Sequence, residues 1–425
     1  MPELDTPTIA PSTFLTIRHQ RFSRVARALL LRQLRRASAS DAGRLIVHER
    51  LGDRHRDFEF GQGLPLAELT VLDARCYPAL VFGGSKGLGR SYVNGLWSSE
   101  DLTVLVRFLF RLTQRRRRRL DALGRRVRVV APLWRRRSSD AKDRDNIHAH
   151  YDLSNDFFAL MLDETMAYSC GVFTSEATSL YDAQVEKFDR VCRKLALRPG
   201  EHVLEIGTGW GGFAIHAATH YGVRVTTTTI STHQGDWARR RVREAGLDSQ
   251  IEILDLHYRD LTGRYDALVS IEMIEAVDWR DYPHFFGALD CLVNERGRVA
   301  LQAITINDQS FDRAKLQPDF IRDLIFPGGC LPSVAAITTA LRDFTDLRVV
   351  DVEDLGLDYV RTLNHWRDRV ASHHDDVVAL GFDERFLRLW NLYLSYCEAA
   401  FVERHISDVQ IIMHRAETRG APRVG

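Results

Sequence analysis

The sequence contains no apolar segment long enough to cross a membrane. Its best apolar run, Leu102 to Phe110, is short and is interrupted by Arg107, whereas a membrane-spanning helix needs about 20 consecutive apolar residues. The chain opens with the polar stretch Met1 to Asp5, and no apolar segment follows a basic one there, so we expect no secretory signal peptide. Contact with a membrane is therefore expected to be peripheral.

Cysteine is scarce and shows no pairing pattern. The six cysteines are widely scattered, and none belongs to a C-x-x-C pair: Cys76, Cys170, Cys192, Cys291, Cys330 and Cys397. This distribution is typical of reduced thiols in a cytosolic protein and argues against a disulfide framework or a zinc site. We therefore predict a cytoplasmic location and no metal site.

Net charge is also nearly absent, since 58 basic residues stand against 57 acidic ones and the formal charge is +1. The molecule as a whole is thus not a polyanion-binding protein. Arginines are nevertheless concentrated in residues 107–137, with Asp121 as the single acid. This stretch is either a solvated linker or a patch that binds anionic phospholipid, where each basic residue contributes about 1 kcal/mol. Nucleic acid is not predicted as a partner, because the arginine run has no interleaved aromatic platform and no surrounding recognition fold.

The length of 425 residues predicts two domains, because a domain usually has about 100–200 residues. The predicted organisation is a disordered segment (1–13), a small α+β domain (14–113), an arginine-rich linker (114–145), the main domain (146–415) and a tail (416–425). The small domain should begin with a basic helix and contain short strands at 45–47 and 58–60, a glycine-rich loop at 81–89 and a helix from Leu102. It carries no catalytic motif of its own.

From residue 202 onward, predicted strands and helices alternate. The strands are 202–207, 223–230, 251–255, 267–273, 297–305, 347–352 and 409–414. This alternation is typical of a doubly wound, mostly parallel sheet, a Rossmann-like α/β fold that binds ligands at the carboxyl ends of its strands. The last strand follows a long helix near 383–404, and we predict it as an added edge strand.

The first of these strands runs into a glycine-rich turn. Gly207, Gly209 and Gly212 match G-x-G-x-x-G, which alone is weak evidence for a dinucleotide. Glu205 lies two residues before the turn, where it can hold the loop and a nearby cation. The second strand ends at Thr229 without the acid expected for a ribose hydroxyl. The pattern favours S-adenosylmethionine, a sulfonium cation; NAD or FAD and a ligand-free structural turn are the alternatives.

Later strands end in residues that could carry chemistry. These are Glu272 and Glu275 after the fourth strand, Gln302 and Ile304 on one side of the fifth, and Tyr359 at the start of a helix. A carboxylate at a strand end, beside the ligand crevice, is well placed to bind, to orient or to accept a proton. The alternative is that either glutamate is an ordinary loop acid and the tyrosine a packing residue.

Several motifs together point to one family. They are HYDLSNDFF (150–158), YSCGVF (168–173), VLEIGTGWGG (203–212), TISTHQ (229–234), YRDL (258–261), IEMIEAV (271–277), FPGGCLPS (326–333) and DYVRTL (358–363). They resemble the cyclopropane-fatty-acyl-phospholipid synthase family, which includes the mycolic acid cyclopropane synthases, over about residues 146–415. The small domain resembles the family's N-terminal lipid-binding domain. The resemblance implies a class I S-adenosylmethionine-dependent methyltransferase fold. Segment 325–332, with apolar residues and hinge glycines, is predicted as a lid or acyl-chain channel, with a plain loop as the alternative.

The resemblance also implies the reaction and its residues. A methyl group of S-adenosylmethionine would be transferred to a cis double bond of an unsaturated acyl chain in a membrane phospholipid, and the resulting carbocation would lose a proton to bound bicarbonate and close a cyclopropane ring. With Glu205, the predicted donor-binding residues are Tyr168, Ser169, Gly207, Thr208, Gly209, Trp210, Gly211, Thr229, Gln234 and His257. The implied bicarbonate site comprises Cys170, through its backbone, with Glu275, Gln302, Ile304 and Tyr359. The partners would be an anionic surface at the inner face of the membrane and a second copy of the chain in a homodimer.

Three residues depart from the commoner bacterial pattern of this family. Ala276 and Gln302 each stand where histidine is usual, and His257 replaces an aspartate. Glutamine can donate an N–H to an anion but cannot take up a proton. These variants resemble plant-type cyclopropane synthases and also actinobacterial enzymes that convert oleoyl chains into 10-methylene chains. A 10-methylene product is therefore the alternative, followed by an inactive lipid-surface protein and by a methyltransferase of small molecules.

Overall fold

The computed structural model describes residues 13–37, 42–122, 154–317 and 319–415. Two structural units are present, Met1–Arg126 with Glu384–Tyr396, and Val127–Asp383 with Cys397–Gly425. Among the described residues, no helix combines the length and the apolarity that crossing a membrane requires. The start of the HYDLSNDFF motif, most of the predicted linker and, apart from Thr13, both predicted terminal segments lie outside the described residues.

The first unit is built around a small four-stranded sheet. Its elements are α1 (Thr13–Ala37), β1 (Gly43–Leu51), β2 (Arg54–Gln62), β3 (Leu66–Val71), α2 (Cys76–Phe82), α3 (Gly84–Val93), β4 (Trp97–Ser98) and α4 (Leu102–Ala122). β1 and β2 form an antiparallel hairpin, β3 lies parallel to β1, and β4 pairs with β3. The two predicted strands are confirmed, and both are longer than predicted. α4 continues to Ala122, past residue 114, where the linker was predicted to begin.

The glycine-rich segment 81–89 is mostly helical, so the predicted loop is wrong. The segment forms the end of α2 and the first part of α3. A Cβ on Gly83 would lie 2.6 Å from the Ala79 carbonyl oxygen, and a Cβ on Gly87 would lie 2.1 Å from the same atom. No side chain fits at these distances. Glycine is therefore required here because the backbones of the two helices approach each other closely, and not because a loop needs conformational freedom.

The second unit is organised around a seven-stranded sheet. Its strands are β5 (His202–Ile206), β6 (Arg224–Thr228), β7 (Ile251–Leu254), β8 (Tyr265–Ile271), β9 (Val293–Ile306), β10 (Leu347–Asp354) and β11 (Ile406–Arg415). The order is β10-β11-β9-β8-β5-β6-β7. β7, β6, β5, β8 and β9 run parallel, and β11 lies antiparallel between β9 and β10. The seven predicted strands and the doubly wound, mostly parallel α/β fold are confirmed.

β11 is not the edge strand that the sequence predicted. It pairs on both sides and is buried over most of its length, with Ile411 and Met413 fully enclosed. The edge is β10, which exposes Val349, Val350 and Val352. The more apolar strand of the β10–β11 pair therefore lies inside the sheet, because burial on both faces suits a continuous apolar run.

Helices cover both faces of this sheet. They are α5 (Asn155–Met161), α6 (Leu180–Lys194), α7 (Gly212–Tyr221), α8 (Thr232–Glu244), α9 (Tyr282–Leu292), α10 (Asp308–Ala314), α11 (Phe320–Leu324), α12 (Val334–Phe344), α13 (Gly356–Ser372), α14 (His374–Ala379) and, from Cys397, the end of α15 (Glu384–Val402). Consecutive β5 residues enter different cores, since Val203 packs with Phe213 and Leu204 packs with Phe285. Both faces are therefore buried, and the carboxyl ends of the parallel strands converge at one edge.

Candidate active site

The turn after β5 has a backbone conformation that glycine adopts most readily. The φ angle is +105° at Gly207, +52° at Gly209 and +86° at Gly211, all in the region that disfavours side chains. Gly211 also caps the N-terminus of α7. The turn lies at the carboxyl edge of the sheet, and without side chains its backbone can be approached closely by a ligand.

Glu205 holds this turn from inside the sheet. Its Oε2 accepts a hydrogen bond from the Thr227 hydroxyl at 2.6 Å, and that hydroxyl lies 2.8 Å from the Thr208 hydroxyl. Burial raises the pKa of Glu205 to about 8, against the opposing effects of the Thr227 hydrogen bond and the Lys187 charge. A cation bound beside Glu205 would favour its charged form. These contacts support the predicted role of Glu205 in fixing the loop.

Tyr168 and Trp210 belong to a cluster of aromatic rings. The centroid of the Phe158 ring lies 5.2 Å from that of Tyr168 and 4.9 Å from that of Trp210. The Trp210 Nε1 also donates to Asn155 Oδ1 at 2.8 Å. Helix α5, which carries Phe158 and Asn155, thus brings these two predicted donor-binding residues together.

The other predicted donor-binding residues follow β6 and β7. Thr229 and Gln234 flank Ser231, which caps α8 by accepting a hydrogen bond from the Gln234 N–H at 3.4 Å. His257 is buried beside Tyr258, with ring centroids 4.4 Å apart. These positions share the carboxyl edge of the sheet with the glycine turn, where ligands of this fold bind. Their contact with a methyl donor stays a prediction.

Glu272, rather than Glu275, occupies the centre of the polar site beyond β8. Its Oε1 accepts hydrogen bonds from the Cys170 backbone N–H at 2.8 Å and from the Gln302 amide at 3.0 Å. Its Oε2 accepts a hydrogen bond from the Tyr359 hydroxyl at 2.6 Å. Glu272, which the resemblance did not place in the bicarbonate site, therefore contacts three of the residues that the resemblance did place there.

Glu275 lies beside this centre and makes a different contact. Its Oε1 accepts a hydrogen bond from the Ile304 N–H at 2.5 Å, while its Oε2 is buried and has no hydrogen-bond partner within the described part of the chain. Burial and, after it, the charge of Glu272 raise the pKa of Glu275 to about 8. The Glu275 carbonyl accepts from the Cys330 N–H at 2.7 Å, which ties segment 325–332 to the site. A lid or channel there stays a prediction.

Two further buried groups, which the sequence analysis missed, lie around Glu272. Asp408 accepts a hydrogen bond from the Gln302 amide at 2.8 Å, and burial and then the charge of Glu272 raise its pKa. Lys187 is fully buried and donates to the Ser169 hydroxyl at 2.5 Å. Burial lowers the pKa of Lys187 to about 8, while its charge favours ionised Glu272 and Asp408.

Of these acids, Glu272 is the one whose contacts favour the charged form most. It accepts three hydrogen bonds, and hydrogen bonds to a carboxylate stabilise the ionised state. Asp408 and Glu275 interact with its charge, and neighbouring carboxyls in a buried site do not all ionise together. Burial raises the pKa of all three acids, and at Glu272 the hydrogen bonds from Tyr359, Cys170 and Gln302 and the charge of Lys187 oppose this effect.

Aromatic rings connect Tyr168, which is predicted to bind the methyl donor, to Tyr359. The Trp366 ring lies 5.1 Å from that of Tyr168 and 6.0 Å from that of Tyr359, and the Tyr359 ring stacks on Phe401 at 4.5 Å. Trp366, Tyr359 and Phe401 are buried, and we call these three residues the aromatic wall. Aromatic faces attract positive charge, so the aromatic wall offers dry surroundings that suit a cation.

The doubly wound sheet, the glycine turn after its first parallel strand and the polar residues at its carboxyl edge define a class I S-adenosylmethionine-dependent methyltransferase. Within that class, the family described as mycolic acid cyclopropane synthetase matches residues 138–411. The chain belongs to this family, and the resemblance inferred from the motifs is confirmed.

Named relatives are similar to most of the chain. The tuberculostearic acid methyltransferase UfaA1 of Mycobacterium tuberculosis is 44% identical over 335 residues, which is 77% of this chain and 78% of the relative. The cyclopropane-fatty-acyl-phospholipid synthase of Escherichia coli K12 is 34% identical over 362 residues, 83% of this chain and 89% of the relative. The crystal structure of the mycolic acid cyclopropane synthase CmaA1, complexed with SAH and CTAB, is 30% identical with a TM-score of 0.60, and covers 64% of this chain and 98% of that one.

Proposed function

We propose that the enzyme methylates a cis double bond in an unsaturated acyl chain of a membrane phospholipid. The observation that carries the proposal is the aromatic wall beside the Glu272 carboxylate. S-Adenosylmethionine, when bound, supplies an electrophilic methyl group. The double bond attacks with its own π electrons, so no side-chain nucleophile is needed. The resulting carbocation must be kept from water, and buried aromatic faces serve that purpose.

Of the two predicted products, the methylene-branched chain has the better support. Both products arise from the same carbocation and differ in how it loses a proton. The relative named as a tuberculostearic acid methyltransferase is 44% identical to the chain, against 34% for the cyclopropane-fatty-acyl-phospholipid synthase of E. coli. The cyclopropane ring, which the motifs imply, is the second candidate.

A vesicle assay tests the proposal. The full-length chain is incubated with S-adenosylmethionine and vesicles of oleoyl phospholipid, and the acyl chains are analysed by mass spectrometry. A gain of one CH2 supports the reaction, and NMR distinguishes an exocyclic methylene from a ring. No mass gain over several unsaturated phospholipids contradicts the proposal: vesicle binding without methyl transfer would then indicate an inactive lipid-surface protein, and methylation of soluble compounds alone a small-molecule enzyme.

Gly209→Ala is expected to weaken binding of the methyl donor at least tenfold. A side chain in this left-handed conformation costs about 1–2 kcal/mol, and its Cβ would occupy the side of the turn that a ligand approaches. Gly246→Ala is the matched control, because φ is +52° at Gly209 and +68° at Gly246, and nothing lies within 4 Å of a Cβ added at either position. Titration calorimetry should show wild-type affinity for the control. Equal losses in both variants would contradict close approach of the donor.

We further propose that the protein acts at the inner face of the membrane, bound peripherally through its first unit. The rings of Phe22 and Phe82 stack with centroids 5.5 Å apart, although the two residues are 51% and 61% exposed. Exposed apolar rings can enter the headgroup region of a bilayer, and the arginines of residues 107–137 add attraction to anionic lipid. The homodimer stays a prediction.

The double substitution Phe22→Ser with Phe82→Ser is expected to reduce binding to phosphatidylglycerol-containing vesicles several-fold. Each apolar side chain withdrawn from water contributes about 25 cal/mol per Å², and serine removes that area. The matched control replaces Phe344 and Val350, which are 49% and 54% exposed in the second unit, by serine. Cosedimentation measures binding, and donor affinity should be unchanged in both proteins. A double variant that binds vesicles like the control would exclude this surface.

A further inference from the structure

The groups predicted to hold bicarbonate already donate hydrogen bonds to carboxylates of the chain. They are the Cys170 N–H, the Gln302 amide, the Tyr359 hydroxyl and the Ile304 N–H. Glu272 accepts from the first three and Glu275 from the last. An external anion would have to displace a buried carboxylate to reach any of them, so these residues as arranged do not fit bicarbonate.

We propose that the Glu272 carboxylate takes the place of bicarbonate and is the base that removes the proton from the carbocation. This inference rests on the proposed methylation of a double bond. The π electron pair forms the new C–C bond, and the electron pair of the broken C–S bond stays on the sulfur of the departing thioether. The carbocation then loses a proton to Glu272. The released C–H pair closes the ring or, after a hydride shift to the neighbouring carbon, forms the methylene double bond.

The position of Glu272 suits this role. Its Oε1 is held by the N–H of Cys170, which directly follows the predicted donor-binding residues Tyr168 and Ser169. Its Oε2 is held by the hydroxyl of Tyr359, a member of the aromatic wall. The carboxylate therefore lies where the donor side of the site meets the surroundings of the cation. Three hydrogen bonds fix its orientation, and a fixed base within reach of its proton is what general base catalysis requires.

The backbone at Glu272 is strained, which gives the site a useful variant. Its φ angle is +48°, a left-handed conformation that is unfavourable for a residue with a side chain. Such strain persists where surrounding contacts hold it, often at functional sites. Glycine adopts this conformation freely, and Glu272→Gly therefore removes the carboxylate and relieves the backbone in one step.

The first test measures whether the wild-type chain needs bicarbonate. Methyl transfer to oleoyl phosphatidylglycerol vesicles is followed in argon-sparged buffer free of carbon dioxide, and bicarbonate is then titrated back. We expect less than about a twofold change in rate, because the base belongs to the chain. A rate that collapses without bicarbonate and returns with it overturns the proposal.

The second test exchanges the internal base for an external one. Glu272→Gly is expected to lose at least about 100-fold in rate without bicarbonate and to recover in part when bicarbonate is added, because the anion can then reach the Cys170 N–H and the Tyr359 hydroxyl. Glu272→Gln fills the same space and should stay inactive. Ala196→Gly, at a φ of +47°, is the matched control and should keep the wild-type rate. A Glu272→Gly variant that is fully active without bicarbonate overturns the proposal.

A binding measurement makes the test independent of lipid turnover. Carbon-13 NMR of labelled bicarbonate should show binding to Glu272→Gly and none to the wild type. The inference is overturned if the wild type binds bicarbonate, because the anion would then displace Glu272 from its hydrogen-bond donors. If no unsaturated lipid is methylated, the proposed function fails, yet this measurement still decides whether Glu272 fills the anion position. If Glu272→Gly does not fold, the two wild-type measurements decide.

Discussion

Lys187→Met is expected to abolish methyl transfer and to raise the free energy of unfolding by up to about 3 kcal/mol at pH 7. Lys187 is fully buried and donates to the Ser169 hydroxyl at 2.5 Å. Its charge favours the ionised forms of Glu272, Asp408 and Glu205. Burial nevertheless lowers the pKa of Lys187 from 10.5 to about 8, so the folded state disfavours the ammonium form and methionine avoids that cost. Methyl transfer is lost because the lysine charge no longer favours ionised Glu272. Methionine has a similar length, so the packing changes little.

The pH dependence distinguishes this charge effect from a loss of packing. The wild type carries the full cost of the buried ammonium group below pH 8, and this cost is lost as the pH rises from about 8 to 10.5, so the gain in the variant should shrink between pH 7 and pH 10. The matched control is Lys194→Met on the same helix, α6, which breaks a partly exposed ion pair with Glu353 at 2.6 Å and should cost less than about 1 kcal/mol at both pH values. Denaturant unfolding measures both variants. An equal difference between Lys187→Met and the wild type at pH 7 and pH 10 would contradict the charge explanation.

The burial of Lys187 is readable from the sequence around it. Ala183 and Val191 lie one turn to either side of it on α6 and are buried, and residues four apart share a helix face. A lysine between two such residues is expected to be buried and paired, because lysine is almost never buried alone. Its partners were not predictable, since Ser169 and the carboxyls come from distant parts of the chain.

The parallel strands were predictable because each is a short run rich in apolar or β-branched residues between turns, and such a run is specified locally. The neighbours of β11 were not, because they depend on pairing across the chain. Val409 lies opposite Ala303 of β9 on one side and Asp354 of β10 on the other. The burial of β11 was therefore readable from Ile411 to Met413, whereas its place inside the sheet required the three-dimensional structure.

In the candidate active site, too, local features were readable from the sequence, whereas contacts between distant parts of the chain were not. Tyr359 and Trp366 are seven residues apart on α13, a spacing that places both on one helix face, so this part of the aromatic wall was readable. Glu272 and Glu275 belong to a single motif, and the residue pattern does not say which one contacts Cys170. The φ angle of +48° at Glu272 turns its side chain toward Cys170 and Tyr359, and that backbone conformation is not encoded in a short sequence pattern.

Glu275→Gln is expected to stabilise the protein by about 3–5 kcal/mol at pH 9 and to change its stability little at pH 4.5. Burial raises the pKa of Glu275 from 4.5 to about 8, and a pKa difference of one is worth about 1.4 kcal/mol. The folded state holds this proton more tightly than the unfolded state does. The stability that Glu275 contributes is therefore complete below pH 4.5 and is lost as the pH rises to about 8. Glutamine keeps the neutral form and can still accept the hydrogen bond from the Ile304 N–H.

Urea unfolding of the wild type and Glu275→Gln at pH 4.5 and pH 9 measures this difference. Glu205, whose pKa is also raised to about 8 by burial, is present in both proteins, so its contribution cancels. Glu295→Gln, at an exposed position on β9, is the matched control and should stay within about 0.5 kcal/mol of the wild type. If the difference in free energy of unfolding between Glu275→Gln and the wild type does not grow with pH, Glu275 is ionised at neutral pH. Glu272 would then share the negative charge of the site, and its assignment as the single base would lose its electrostatic basis.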